Sequence, residues 1–152
     1  MLQSDTILLV EDEAIIALME EKTIRGFGYE VITARDGEEA LEAVRNSPEI
    51  DLVLMDIDLG AGMDGTQTAE EILKIRRLPV VFLTGHSERE TVERVKGITR
   101  YGYVLKNSGS FVLAEAIEMA FTLFDSHRKL EEENLRRRSA QEALERNEAF
   151  LN

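Results

Sequence analysis

Short runs of β-branched and apolar residues recur along the chain and alternate with longer segments of mixed polarity. Five such runs start roughly 20–28 residues apart, which leaves room for one helix between each pair. They occupy residues 7–10, 29–33, 52–55, 80–83 and 101–105. The pattern therefore predicts five strands that alternate with helices.

The segments between these runs carry helical signals. In residues 14–26 the side chains of Ile15, Leu18, Met19 and Thr23 recur at three- and four-residue steps, and glycines at positions 26 and 28 predict the end of this helix. Pairs with capping-box spacing predict two further helix starts, and a turn at residues 107–109 offers serine caps for the last helix. These residues are Asp36 with Glu39, Ser87 with Glu90, and Ser108 or Ser110.

Strands that are apolar almost throughout are typical of a parallel sheet with helices on both faces. We therefore expect an α/β fold built on a doubly wound five-stranded parallel sheet. Right-handed crossovers leave few possible strand orders. In each of these orders the carboxyl ends of the strands share one edge, and ligands bind at that edge in this class of fold.

The pattern changes in the last quarter of the chain. Residues 111–124 predict an amphipathic helix, and a highly charged segment without proline or glycine follows. Leucines there recur every seven residues, as in a coiled coil, but one arginine interrupts the repeat. The second position of each heptad that would also face a partner helix is mostly polar. The leucines are Leu123, Leu130, Leu144 and Leu151, the arginine is Arg137, and the partner positions hold Ser126, Glu133, Ala140 and Asn147.

Two interpretations of this segment remain open: a solvated helical extension, or a two-stranded helix that joins subunits or leads into another domain. We expect a globular domain over residues 1–125 and a charged helical linker over residues 126–152. A homodimer formed through the last helix and its extension is the hypothesis that the leucine register motivates.

Composition narrows the possible partners. The 152 residues are 43% hydrophobic, which suffices for one core, and the net charge of −12 argues against direct contact with nucleic acid. The absence of cysteine excludes disulfides and thiolate metal sites. No apolar run is long enough to cross a bilayer, and the first residues lack the features of a signal peptide. A cytoplasmic protein, or the cytoplasmic part of one, is the expectation.

Carboxylates follow two of the predicted strands directly. Glu11 and Asp12 come after the first strand, and Asp56 and Asp58 come at the end of the third. If these strands are neighbours, the acids converge and raise one another's pKa unless a cation lies between them. Carboxylate oxygens suit a hard divalent ion, so we expect Mg²⁺. Taken singly, Asp12 would more often be a helix cap and Asp56 a loop residue.

Two further polar residues end predicted strands: Thr84 after the fourth and Lys106 after the fifth. A hydroxyl can donate to a phosphoryl oxygen, and an ammonium can neutralise phosphoryl charge. Together with the acids they complete a site for phosphoryl transfer in which Asp56 is the nucleophile.

These residues resemble the response-regulator receiver domain of two-component signalling. The matching stretches are, in the family's order, "ILLVEDE", "GYEVITARDGEEAL", "DLVLMDIDL", "MDG", "LPVVFLTGHS" and "GYVLK". The resemblance covers residues from about 7 to 124. The resemblance implies a flavodoxin-like sheet of order 2-1-3-4-5 and a phosphoryl group received from a histidine kinase or phosphotransfer protein. It also implies an output surface around the fourth helix, fifth strand and fifth helix.

The resemblance assigns roles by position. Asp56 is similar to the phosphoacceptor, and Thr84 and Lys106 to the groups that contact the phosphoryl oxygens. Thr84 and Tyr103 resemble the switch pair. The Mg²⁺ site implied by the family uses Asp12, Asp56, the backbone carbonyl of Asp58 and, through water, Glu11.

The chain departs from the family pattern at three places. The stretch from Asp56 to Gly65 lacks the usual proline and is one residue longer, so we expect a glycine-rich, mobile loop. Asn107 replaces the proline that normally follows the lysine, which puts a cis peptide there in doubt. Asp58 is acidic at a variable position, and we expect it to alter phosphate lifetime or metal affinity.

Other functions compete with this interpretation. A haloacid-dehalogenase-type phosphatase would use Asp56 and Asp58 as nucleophile and acid, although its motif normally lies on the first strand. An unphosphorylated dimerisation scaffold is the second alternative. His86 and His127 are interpreted as surface residues. The charged tail resembles the helix that leads from a receiver into a PAS-type sensor module, so the chain is either a single-domain regulator or the N-terminal part of a longer protein, such as a hybrid histidine kinase.

Overall fold

The computed structural model describes residues 5–85, 89–99 and 101–151. Its strands are β1 (Thr6–Val10), β2 (Glu30–Ala34), β3 (Ile50–Asp56), β4 (Val80–Thr84) and β5 (Tyr103–Leu105). Its helices are α1 (Ala14–Gly26), α2 (Gly37–Asn46), α3 (Gly65–Ile75), α4 (Arg89–Ile98) and α5 (Ser110–Leu151). Strands and helices alternate throughout, as the apolar runs predict.

The five strands form one parallel sheet in the order β2-β1-β3-β4-β5. Val10 at the end of β1 pairs with Met55, so Glu11 follows at the level of Asp56. On the other side of β3, Asp56 pairs with Leu83 of β4. The predicted α/β class and the family's strand order are confirmed, and the register brings the strand-end acids to one edge.

The sheet is buried on both faces, which explains why the strands are apolar without alternation. One apolar cluster packs the sheet against α2, α3 and α4, and the other packs it against α1 and α5. Adjacent residues of β1 divide between them, with Leu8 in the first cluster and Leu9 in the second. Each fully buried aliphatic side chain of this kind stabilises the fold by roughly 1.5–3 kcal/mol.

The first helix has the predicted bounds, but its apolar stripe does not face the core. Ile15 is 76% exposed, Leu18 and Met19 are also exposed, and Ile24 is the residue of α1 that is fully buried. Helical periodicity predicts that a helix forms, whereas packing decides which side of the helix meets the sheet.

The strand predicted from residue 101 begins at Tyr103, after Gly102 with φ of +90°.

The helix caps agree with the sequence only in part. Asp36 accepts from the backbone N–H of Glu39 at 2.8 Å, but the Glu39 carboxylate accepts from Arg35 and so does not close the box on Asp36. The serine caps predicted for α5 were wrong, because Ser110 is already its first residue and Ser108 donates to the Leu105 carbonyl. The pair at residues 87 and 90 falls on a part of the chain whose side chains lie outside the described residues, as does His86.

Helix α5 continues without a break past Asp125. The first turns of its extension contact the body of the domain: Glu131 pairs with Arg77, and His127 lies against Tyr101 with Nδ1 at 3.4 Å from the phenol oxygen. His127 is therefore half-buried and not the surface residue expected.

In the part of the chain that the structure describes, no helix combines the length and apolar character needed to cross a membrane.

Candidate functional site

Three carboxylates meet at the carboxyl edge of the sheet. Glu11 follows β1 and Asp56 ends β3; each is only 1% exposed, whereas Asp12 is exposed. One oxygen from each of the three residues lies within 4.8 Å of the others. The backbone N–H of Glu11 donates to the Ala34 carbonyl at 3.0 Å, which fixes this turn against β2. The convergence expected from the strand ends is thus present.

Lys106 reaches into this cluster from β5. Its Nζ donates to Asp56 Oδ2 at 2.9 Å and lies 3.4 Å from Glu11 Oε2. Its backbone N–H donates to the Thr84 carbonyl at 2.9 Å, which extends the β4–β5 pairing up to the site. Burial opposes the ammonium charge, but the hydrogen bond and charge of Asp56, with the charge of Glu11, raise the pKa of Lys106. The raised pKa keeps the Lys106 ammonium charged at neutral pH, where it faces Asp56.

The environment of the site raises the pKa of Glu11 strongly. Burial, then hydrogen bonding and repulsion from Asp56, raise the pKa of Glu11 to about 8. Its Oε1 accepts from the backbone N–H of Glu13 at 3.2 Å, while its buried Oε2 has no hydrogen-bond partner. Crowded carboxylates with an unsatisfied buried oxygen, open to solvent on the Asp12 side, have the donor chemistry that Mg²⁺ requires. The residues present fit such an ion.

The loop over the site combines buried anchors with left-handed glycines. Ile57 and Leu59 are buried in the core, and the N–H of Asp58 donates to Asp56 Oδ1 at 3.1 Å. Gly60 has φ of +72°, and a Cβ there would lie 3.3 Å from Asp12 Oδ2. The glycine-rich loop therefore folds closely over the acids, and its mobility stays a prediction. The Asp58 side chain is exposed.

Helix α3 begins directly against the backbone of Asp56. A Cβ on Gly65 would lie 2.0 Å from the Asp56 carbonyl oxygen, and the Gly65 N–H donates to the Ile57 carbonyl at 2.8 Å. Asp64 caps the helix in a full capping box with Gln67. Only glycine permits this close approach, which fixes the start of α3 on β3.

The comparisons with known proteins agree with this geometry. The model of the response regulator receiver domain matches residues 7–118. The chain belongs to this family. The receiver is 38% identical over 129 residues to the transcriptional regulatory protein PdtaR of Mycobacterium tuberculosis; the match covers 84% of this chain and 62% of PdtaR, so the chain spans under two thirds of that relative.

Two solved structures extend the comparison. The N-terminal domain of a response regulator/sensory box/GGDEF three-domain protein from Carboxydothermus hydrogenoformans is 45% identical, with a TM-score of 0.74, over 80% of this chain and 98% of that one. A CheY-like receiver domain protein from Methanospirillum hungatei is 26% identical, with a TM-score of 0.73, over 82% and 99%. The receiver is thus of the two-component response-regulator type, with the CheY-like fold and an acidic cluster consistent with a phosphoacceptor.

The two switch residues implied by the family lie at different levels of the receiver. Thr84 ends β4, one residue past the partner of Asp56, and is buried. Tyr103 pairs with Phe82, further from the edge, and its side chain is 37% exposed.

The described residues contain no cis peptide, so the Lys106–Asn107 bond is trans. Asp12 does not cap α1, because the cap position is Glu13 and makes no side-chain cap bond.

Sequence reasoning missed a polar contact beside the site. Arg94 of α4 donates to Thr66 Oγ1 and Asp64 Oδ2 at the start of α3. The cap itself had a signal, since Asp64 precedes Gln67 by three residues. The arginine had none, because it lies 28 residues beyond Thr66 in the chain.

Proposed function

We propose that Asp56 accepts a phosphoryl group from a histidine kinase or phosphotransfer protein. The observation that carries the proposal is the buried Asp56 carboxylate, which Lys106 Nζ contacts at 2.9 Å. A carboxylate oxygen of Asp56 attacks phosphorus, the phosphorus–nitrogen bond of the donor breaks, and its electron pair returns to the imidazole nitrogen. Lys106 stabilises the negative charge on the transferred group, and the Thr84 hydroxyl donates to it.

The same proposal assigns a Mg²⁺ site to Glu11, Asp12, Asp56 and the backbone carbonyl of Asp58. Bound there, the ion would offset the charge that builds up on the phosphoryl oxygens. Glu11 Oε2 supports a cation at this place, since this buried atom accepts no hydrogen bond and Lys106 Nζ approaches it only to 3.4 Å. The exposed Asp58 side chain would tune phosphate lifetime or metal affinity.

The output of this reaction would be a changed surface around α4, β5 and α5. Thr84 would move towards the phosphoryl group, and the ring of Tyr103 would turn inward into the space it leaves. The partial exposure of Tyr103 supports this step, because the ring has area left to bury.

The donor would dock beside the acids on α1. Ile15, Leu18 and Met19 form an exposed apolar face that starts next to the acidic cluster, and such faces mark interaction sites. The chain's net charge of −12 is unsuited to nucleic acid, so we propose a protein partner, in the cytoplasm. The output, including kinase activity, would reside in further domains of a longer protein, with residues 1–125 as receiver and 126–152 as linker.

We further propose that the leucine register of α5 joins two copies of the chain. Leu123, Leu130 and Leu144 are exposed along this helix. Analytical ultracentrifugation should show a concentration-dependent dimer that Leu130→Glu abolishes. The change Glu132→Gln, at an exposed position outside the leucine register, should leave it intact. A wild-type chain that stays monomeric at high concentration, phosphorylated or not, contradicts this part of the proposal.

Intact-mass spectrometry tests the central proposal. The protein is incubated with acetyl phosphate, with Mg²⁺ or with EDTA, and the mass of one phosphoryl group is expected only with Mg²⁺. Asp56→Asn should remain unlabelled, and its matched control Asp58→Asn, the same change two residues away, should label. Equal labelling of wild type and Asp56→Asn would refute the assignment. Steady release of phosphate over many turnovers, lost in both variants, would favour the phosphatase alternative.

A further inference from the structure

Arg94 forms a side-chain contact between α4 and the start of α3. Its Nη2 donates to Thr66 Oγ1 at 2.7 Å and to Asp64 Oδ2 at 3.1 Å. Thr66 is buried, and its hydroxyl donates to Asp64 Oδ1 at 2.7 Å. The guanidinium thus holds both the carboxylate that caps α3 and the hydroxyl beside it.

Asp64 and Thr66, which Arg94 contacts, lie where the loop over the acceptor ends and α3 begins. Residues 57–64 run from Asp56 to the α3 cap, and the next residue, Gly65, lies against the Asp56 carbonyl. This close approach leaves the start of α3 little freedom to shift without moving the backbone of Asp56. Arg94 therefore contacts, from α4, a segment that is rigidly seated on the acceptor strand.

The contact is separate from the helix cap itself. Asp64 accepts the capping bond from the Gln67 N–H through Oδ1, at 2.9 Å, whereas Arg94 donates to Oδ2. Removal of Arg94 should therefore leave α3 formed and affect the position of its first turn relative to α4. A partly exposed ion pair of this kind contributes little to stability, so a large unfolding effect is not expected.

We propose that Arg94 is a positioning residue for phosphoryl transfer to Asp56, acting through Asp64 and Thr66 to hold the acceptor loop in place. The proposal rests on the proposed phosphoacceptor function. The contact also couples α4 and the loop in both directions. A shift of α4 that breaks the contact loosens the loop, and a shift of the loop is transmitted to α4.

The test compares rates of phosphoryl uptake from acetyl phosphate with Mg²⁺ by intact mass. Arg94→Ala should label about 2–5-fold more slowly than wild type, the range expected from one partly exposed charged contact. Arg94→Lys should recover part of the rate. Lys96→Ala, which removes the same charge from the same helix, should label at the wild-type rate, so a general charge effect is separated from the contact.

Two further measurements separate positioning from a merely structural role. In a double-mutant cycle, Arg94→Ala combined with Thr66→Val should slow uptake by less than the product of the two single effects, because both changes break the contact between Arg94 and Thr66. Hydrogen exchange of the Gly65 N–H, bonded to the Ile57 carbonyl, should be faster in Arg94→Ala without any phosphodonor. Urea unfolding checks that the variants remain folded.

The outcomes distinguish this proposal from the one on which it rests. A wild-type protein that labels at Asp56 while Arg94→Ala labels equally fast overturns the positioning role alone. Rate losses that multiply in the double variant also overturn it, because they show independent effects. A wild-type protein that takes up no phosphoryl group overturns both.

Discussion

Gly65 offers a sharp test of how closely the start of α3 packs on β3. A Cβ at this position would lie 2.0 Å from the Asp56 carbonyl oxygen and 2.7 Å from the Ile57 Cα. Both are backbone atoms, so no side-chain rotation can relieve the overlap. Gly65→Ala therefore requires α3 to move away from β3 by about 1.4 Å before ordinary contact is restored.

The cost of that movement follows from what it breaks. Overpacking in a well-packed region costs roughly 1–3 kcal/mol. The hydrogen bond from the Gly65 N–H to the Ile57 carbonyl, 2.8 Å long, would be lost or weakened, at about 1 kcal/mol more. Alanine would recover up to ~1 kcal/mol through its higher helix propensity. We expect the free energy of unfolding to fall by about 1–4 kcal/mol.

Urea unfolding monitored by far-UV circular dichroism measures this change, with Gly97→Ala as the matched control. Gly97 lies in α4 with nothing within 4 Å of its Cβ position, so the same substitution should stabilise by roughly 0.5–1 kcal/mol. The two variants should thus shift the unfolding midpoint in opposite directions. A Gly65→Ala protein within about 0.5 kcal/mol of wild type would refute the close seating of α3.

Three further predictions concern the core, a cap and the metal. Ile117→Ala should lower the free energy of unfolding by about 2–5 kcal/mol in urea titrations, because this α5 side chain is 0% exposed. Asp36→Ala should cost about 1 kcal/mol in the same assay through loss of the α2 cap, and Asp36→Asn, which retains the acceptor, should cost less. Mg²⁺ at 100 times its Kd should stabilise by about 2.7 kcal/mol, and Asp12→Asn should lose most of this; equal shifts in both proteins would contradict the assigned site.

The strands and the site were predictable from the sequence for the same physical reason. In a parallel sheet covered on both faces, each strand is a short apolar run, and its end is where polar residues resume. Glu11, Asp56, Thr84 and Lys106 all lie at such ends. Since parallel strands share their carboxyl edge, a one-dimensional pattern is enough to predict that these residues converge.

The face of α1 that packs on the sheet was not predictable in this way. A three- to four-residue apolar repeat fixes the period of a helix, but the sequence supplies two candidate faces here. Ile15, Leu18 and Met19 lie on the exposed one, and Ile24 lies on the buried one. The choice depends on how α1 meets β1 and β2, which is information about neighbours distant in the chain.

Long-range polar contacts were equally inaccessible. Arg94 and Thr66 are 28 residues apart, and Arg77 and Glu131 are 54 apart. Charged residues on solvated helices are common, and nothing local distinguishes the arginine that finds a buried hydroxyl from its exposed neighbours. The sequence therefore predicted the strand-end polar residues that converge and missed the contacts that tie this edge of the sheet to the outer helices.

The contacts of α5 with the body of the domain bear on whether the same helix can also pair with a second copy of the chain. Successive residues of an α-helix lie about 100° apart around its axis. The positions that contact the body, from Ile117 to His127 and Glu131, therefore lie along one side of the helix. Leu123, Leu130 and Leu144 are exposed, and Leu130 lies about 100° around the axis from Glu131. Leu123 and Leu130 lie only about 40–60° from His127, four and three residues away. Pairing of two copies through these leucines is thus compatible with the contact between Glu131 and Arg77, whereas the contact between His127 and Tyr101 borders the paired face, so a dimer would keep α5 docked through Arg77.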